Sequence, residues 1–421
     1  MSVVEEKAVE NRVSFDPHSE EFLKNPYPAY KELREKAPVA YWREGRAWLM
    51  SDYEDVVRIQ SDSRFSINLA DWKYYDPGEV GENKEWDDLK SNDLLALSGL
   101  DHNRVRRLIM PSFQRGPLQK YKTIIENIVA QKIDTLRDRE VFDVVHDFAY
   151  DIPVQVMQGL LGIPFHLHRE FQQFAVAYVE LFDPSLDFPP EEVAEKRRLI
   201  TNGVRLVREV IERQRRQIQQ GRPAETILEH LILACDQEDR LSDDELVALV
   251  GMVMAGGSES TIYLICNAVL NLMRFPQQRQ ILEERPELWD NAIMEVLRYD
   301  FFMKMGVPRY ALEDVEWKGC RIGKGEMVYP ISAAAQFCPE VFPRPDVFDV
   351  TRDTSKVIAF GRSKHICVGQ FLAIMESRIA VSMLFEHFPD LTLVSEPVYD
   401  EHNKVLRALK RFLVHKQGGD S

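Results

Sequence analysis

The stretch AFGRSKHICVG, Ala359 to Gly369, sets one cysteine between small residues, with a phenylalanine seven places before it and a histidine two places before it. A thiolate persists only beside positive charge or hydrogen-bond donors; otherwise it protonates or oxidises. Gly361 and Gly369 let the backbone turn tightly enough for amide N–H groups to point at the sulfur. A helix beginning just after Cys367 adds the partial positive charge of its N-terminus, and Phe360 shields one side. The loop therefore suits a ligating thiolate better than a catalytic nucleophile. On this stretch alone, a loop cysteine buried as a small filler stays open as the alternative.

The rest of the composition narrows the field. The 421 residues carry a net charge of −15 and are 45% hydrophobic, so a large core is expected and nucleic acid is an unsuitable main partner. MSVVEEKAVENRVSF has no apolar h-region and predicts no signal peptide. The runs LVALVGMVMA and IYLICNAVL are separated by GGSEST, and neither reaches the roughly 20 residues of a membrane span. A soluble, cytoplasmic protein that avoids membranes is expected. Cys235, Cys266, Cys320, Cys338 and Cys367 are odd in number, widely spaced and without a CxxC pair. That pattern predicts neither a disulfide framework nor a zinc site.

Along the chain, residues 1–25 read as a loose acidic arm. PYPAYKELREKAP predicts a short helix closed by Pro38, and VAYWREGRAWLMS a hairpin around Gly45. Ser51 and Glu54 have capping-box spacing, and 66–98 reads as one long loop. Helices are predicted over Pro117–Arg137, Phe148–Leu161, His168–Phe182, Glu191–Gln219 and, from the capping box Ser242/Glu245, up to Met273. VPRYALEDVEWKGCRIGKGEMVYP is strand-and-turn in style, 331–366 irregular, Gly369–Phe388 helical, and 389–415 a few strands. The class is mainly α with a smaller β-rich part and no evident domain cut.

Within the longest predicted helix, MAGGSESTIY (Met254–Tyr263) places two glycines mid-helix, each costing about 1 kcal/mol against alanine. Small residues there let a flat cofactor approach the backbone. Ser260 can hydrogen-bond the Gly256 carbonyl and loosen the ladder into a groove. A notch for helix–helix packing is the competing explanation.

Taken with these residues, FGRSKHICVG resembles the haem-thiolate signature of the cytochrome P-450 family, F-x-x-G-x-x-x-C-x-G. Phe360, Gly361, His365, Cys367 and Gly369 match, while Ser363 stands where the family has its second glycine. GGSEST resembles the family's A/G-G-x-D/E-T-T run without a gap, and EVLR its E-x-x-R helix. The resemblance implies one domain over 1–421 with the family's triangular-prism fold, haem b lying between the long central helix and the cysteine-loop helix. It implies Cys367 as axial thiolate ligand of the iron, with Gly256 and Gly257 beside the cofactor. It implies His102, Arg106, Arg309 and His365 as propionate anchors, and Glu295, Arg298 and Arg352 as a charge network locking the cysteine loop. Glu259 would relay protons, and Ser260 replaces the usual threonine that orders water and oxygen.

The implied activity is monooxygenation: two electrons and O2 used to hydroxylate or epoxidise an apolar substrate. No flavin or iron–sulfur segment is present, so the electrons of NAD(P)H must arrive through partners, a ferredoxin and its reductase. Arg104, Arg107, Arg362 and Lys364 would form a basic docking patch. A monomer is expected. Met252, Gly256, Phe171, Phe174, Tyr178, Phe182, Phe301, Phe302, Met303 and Met305 are the candidate pocket, although aromatic residues at helical spacing also describe plain core. Parts of the chain are similar to the epothilone-epoxidising branch of the family, which implies a polyketide or macrolide substrate from secondary metabolism. The rivals are a haem-thiolate isomerase or dehydratase, which needs no proton relay, and a haem gas sensor, which needs no electron partner.

Overall fold

Ser242 and Glu245 start the longest helix as their spacing predicts. The serine hydroxyl accepts the Glu245 amide at 3.1 Å and the glutamate returns a bond from the Ser242 amide at 2.9 Å. Three acidic residues in the first turn suit the positive end of the helix dipole. The helix runs Asp243–Arg274 and is buried on most faces. Among the described residues it is the one helix long and apolar enough to cross a membrane, and 72% of that apolar window is buried inside the protein. It is therefore a core helix, about 48 Å long at 1.5 Å per residue.

The computed structural model describes residues 15–75, 84–97, 99–182, 188–238, 241–403 and 405–416. Helices His168–Phe182, Pro190–Gln219, Ile152–Leu161 and Gln370–His387 pack on the central helix. A five-stranded sheet runs in the order Val39–Trp42, Ala47–Met50, Met327–Pro330, Arg309–Ala311, Phe65–Ser66. Its second and third strands are parallel, with Ala47 opposite Met327, and the other pairings are antiparallel. A three-stranded sheet joins Val141–Asp143, Leu413–Lys416 and Leu391–Leu393. The expected mainly helical class with a smaller strand-rich part is the class observed.

Several local expectations need correction. Residues 15–25 are not a loose arm: Phe15 packs edge-on against Phe22 and Trp42, and Glu20–Lys24 is helical. Residues 1–14 lie outside the described residues. Asp52, not Ser51, caps helix Tyr53–Ile59, accepting the amides of Glu54 and Asp55. The expected loop 66–98 contains helix Lys84–Ser91, which buries Trp86 and Leu89; residues 76–83 and 98 are outside the described set. The central helix stays α-helical through 256–260, so Ser260 opens no break in it.

Candidate functional site

The cysteine loop is closed by the Cys367 amide donating to the Phe360 carbonyl at 2.8 Å, and by the Gly361 amide donating to Ile358 at 2.9 Å. Gly361 has φ +71° and Ser363 φ +64°, so the serine adopts the left-handed conformation that glycine usually supplies. Helix Gln370–His387 starts three residues after the sulfur. The amides of Gly369 and Gln370 and the Arg106 guanidinium stabilise the thiolate, while burial pushes the thiol's pKa up more strongly. Cys367 nevertheless exposes surface. A group that is deep in the fold yet has accessible surface faces an internal space.

The central helix shows the same signature. Gly256 is exposed in the middle of a buried helix, and a Cβ added there would meet no atom within 4 Å. Met252 and Ser260, one turn to either side, are half-buried, and Ser260 donates to the Gly256 carbonyl at 2.7 Å. Gly257 points elsewhere. A Cβ on it would lie 2.9 Å from Met157 Sδ, so the missing side chain at this glycine makes room for the packing of helix Ile152–Leu161.

A basic cluster surrounds the loop. The His102 and His365 rings lie 4.5 Å apart, both His102 nitrogens and His365 Nδ1 are buried without a partner, and burial holds the His102 pKa down. Burial, together with His102, Arg309, Lys364 and Arg106, depresses His365 to about 3. Arg309 is buried, bonded only to the carbonyls of Val307 and Pro308 by the described contacts, and lowered to about 10. Arg106 donates to the Ile366 carbonyl. Two guanidinium groups and two neutral imidazole rings with unpartnered nitrogens converge here, a donor set that fits a flat group carrying carboxylates. Cys367, Gly256 and this cluster together suit a haem.

The charge network is present and extends further than expected. Arg298 grips Glu295 with two bonds, 2.7 and 2.9 Å, and Arg352 Nε reaches Glu295 Oε1 at 3.2 Å. Both arginines then hold carbonyls of Pro343, Arg344, Pro345 and Val347. The trio thus fixes segment 343–349 rather than the cysteine loop itself. Gln336 makes that further link: its amide donates to Leu297 at 3.0 Å and its Oε1 accepts the Ile358 amide at 3.0 Å, two residues before Phe360. No sequence signal pointed to Gln336.

Glu259 is buried, and Asn403 donates to its Oε1 at 2.9 Å. Burial, followed by the charge of Glu180, pushes its pKa up to about 8. Asn403 and its neighbour Lys304 were not identified from the sequence, because both are brought to the central helix by distant segments.

The pocket candidates divide. Phe171 and Phe174 are fully buried, and the Phe174 ring fills the space above Gly203 and Gly251, so both belong to the core. Tyr178 is buried against Trp86 and Phe174. Phe301, Phe302 and Met305 are nearly buried, and Met303 is half-buried where it bridges to Leu406. The side chain of Phe182 lies outside the described residues. In the expected basic patch, Arg104 is committed to Glu245 and Asp101, and Arg362 reaches Tyr53 at 3.3 Å; Arg107 and Lys364 are exposed. A small cleft between Arg115, Phe371 and Arg378 is lined by none of these site residues.

The family model described as cytochrome P450 matches residues 76–414. The chain is a cytochrome P450. It is 38% identical over 394 residues, 92% of each chain, to the epothilone C/D epoxidase of Sorangium cellulosum. It is 32% identical to the vitamin D(3) 25-hydroxylase of Pseudonocardia autotrophica, over 95% of this chain and 96% of that one. The structure of epothilone B-bound cytochrome P450epoK superposes with a TM-score of 0.89 at 36% identity, covering 96% of this chain and 100% of the other. P450s of this kind are haem-thiolate monooxygenases that draw electrons from redox partners and act on small apolar substrates. In their fold the haem lies between the central helix and the cysteine helix, which accounts for the openings at Gly256 and Cys367 in this P450.

Proposed function

We propose that this P450 hydroxylates or epoxidises a medium-to-large apolar natural product of the polyketide or macrolide type, in the cytoplasm and as a monomer, with electrons from a ferredoxin and its reductase. The observation that carries the substrate class is the 38% identity, spread over 92% of both chains, to an epothilone epoxidase. The apolar segment Phe301–Met305, zipped to 405–407, supplies a compatible wall.

Cys367 would hold the haem iron, with His102, Arg106, Arg309 and His365 facing its carboxylates. Bound there, haem supplies oxygen activation with two electrons and two protons. The protein's part is to shield the thiolate, orient the substrate and deliver protons. Glu259 fits the delivery because burial keeps its carboxyl protonated near neutral pH. Ser260 keeps the hydroxyl of the usual threonine but lacks the methyl that restricts its rotamer, so more peroxide should escape than with threonine. Two measurements test the proposal. The first is a reduced carbon-monoxide difference spectrum of the wild type and Cys367→Ala. The second is a spin-shift titration with a macrolide panel, followed by turnover with surrogate ferredoxin and reductase. A Cys367→Ala protein with an unchanged spectrum refutes the ligand assignment, and a uniform lack of spin shift refutes the substrate class.

A further inference from the structure

Glu259 is held by one oxygen only. Asn403 Nδ2 donates to Oε1 at 2.9 Å, while Oε2 is buried without a partner. The orientation of the Asn403 amide is fixed independently, because its Oδ1 accepts the backbone amides of Val405 and Leu406 at 3.2 and 2.8 Å. The nitrogen must therefore face Glu259. The carbonyl oxygen of a neutral carboxyl is the stronger acceptor, so the bond from Asn403 to Oε1 favours the acidic hydrogen on Oε2.

Asn403 is not part of the central helix. It lies between strands Val398–Tyr399 and Leu409–Arg411, and its carbonyl accepts Lys304 Nζ at 2.7 Å. Lys304 is buried, its amide donates to Val405, and the Arg407 amide donates to Phe302 at 2.7 Å. The asparagine is thereby joined to the apolar segment Phe301–Met305. The other groups facing Glu259 are Glu180 and Lys196 from the two helices packed above, Asp400 from the strand-linking segment, and Tyr150 and Tyr263. Lys196 is already paired with Glu180 at 2.6 Å. The hydrogen bond that orients Glu259 thus comes from a neutral amide, which fixes the geometry without forcing the carboxyl into its charged form.

We propose that Asn403 is a positioning residue for proton delivery: it holds Glu259 by Oε1, so that the proton is presented on Oε2, and it ties that donor through Lys304 to the wall formed by Phe301–Met305. This rests on Glu259 as the proton carrier. Oε2 gives its proton to a water molecule that carries it onward, the resulting carboxylate keeps its bond from Asn403, and a further proton arriving through water restores the carboxyl.

The test uses haem-loaded protein with Asn403→Asp, Asn403→Ala, Glu259→Gln and the double variant Glu259→Gln/Asn403→Ala. Asn403→Asp keeps the size and the acceptor for two backbone amides, so it guards against misfolding of the alanine variant. The first readout needs no turnover: the infrared C=O stretch of the protonated Glu259 carboxyl, assigned as the band that Glu259→Gln removes. It should shift in both Asn403 variants, while the carbon-monoxide spectrum stays that of a thiolate. The second is peroxide released per reduced nicotinamide consumed. It should rise several-fold in Asn403→Ala, rise no further in the double variant than in Glu259→Gln, and show a pH profile displaced to higher pH in Asn403→Asp. An unmoved band, or a full additional loss in the double variant, overturns the proposal. If Glu259→Gln alone leaves coupling and pH profile unchanged, Glu259 is not the carrier and the proposal falls with it. An impaired Glu259→Gln beside normal Asn403 variants overturns the positioning role alone.

Discussion

Ser363 pays a local strain that its family position does not require. At φ +64° an L side chain crowds its own backbone, whereas glycine adopts this region freely. Ser363→Gly should therefore raise stability by about 1 kcal/mol, reduced by glycine's greater freedom in the unfolded chain, as read from denaturant midpoints. Glu259 makes a second prediction, with the opposite dependence to that of an ion-paired carboxylate. Its pKa is raised from 4.5 to about 8, so between those values the native state binds more protons than the unfolded chain. Stability contributed by the neutral carboxyl is complete at low pH and is lost as pH rises towards 8. Glu259→Gln should gain on the wild type as pH increases through that window, and a constant difference between the two would contradict it.

At the scale of elements, the central helix separates two glycines that look equivalent in sequence. Helix propensity favours alanine at both by about 1 kcal/mol. At Gly256 no protein atom meets the methyl, which would instead enter the space assigned to the haem, so Gly256→Ala should shift the haem absorption and weaken haem retention; at Gly257 the methyl meets Met157, and the gain should shrink or reverse. Thermal unfolding beside an absorption spectrum distinguishes them. The start of this helix was legible because the two signals of its capping box, Ser242 and Glu245, lie only three positions apart. Helix Lys84–Ser91 was not, because Trp86 and Leu89 are its only buried residues in an otherwise polar stretch. The role of Gly257 was likewise hidden, since Met157 sits on another helix.

For the whole molecule, Glu295 neutralises two arginines at once while its own side chain is fully buried. Glu295→Gln leaves both charges uncompensated and should cost about 3–5 kcal/mol, with loss of bound haem on mild heating. The E-x-x-R spacing revealed the pair, but Gln336, Asn403 and Lys304 act through contacts between segments far apart in the chain and carry no local pattern. The commitment of Arg104 to Glu245 and Asp101 was hidden for the same reason. Salt should therefore slow reduction by a ferredoxin chiefly through exposed Arg107 and Lys364. Stopped-flow reduction that is unaffected by salt would exclude this surface. The Phe174 ring, seated over Gly203 and Gly251, has a mechanical consequence. Helices His168–Phe182 and Pro190–Gln219 cannot slide past each other or across the core helix without first withdrawing that ring. The ring thus couples the two helices, so that displacing one draws on the packing of the other.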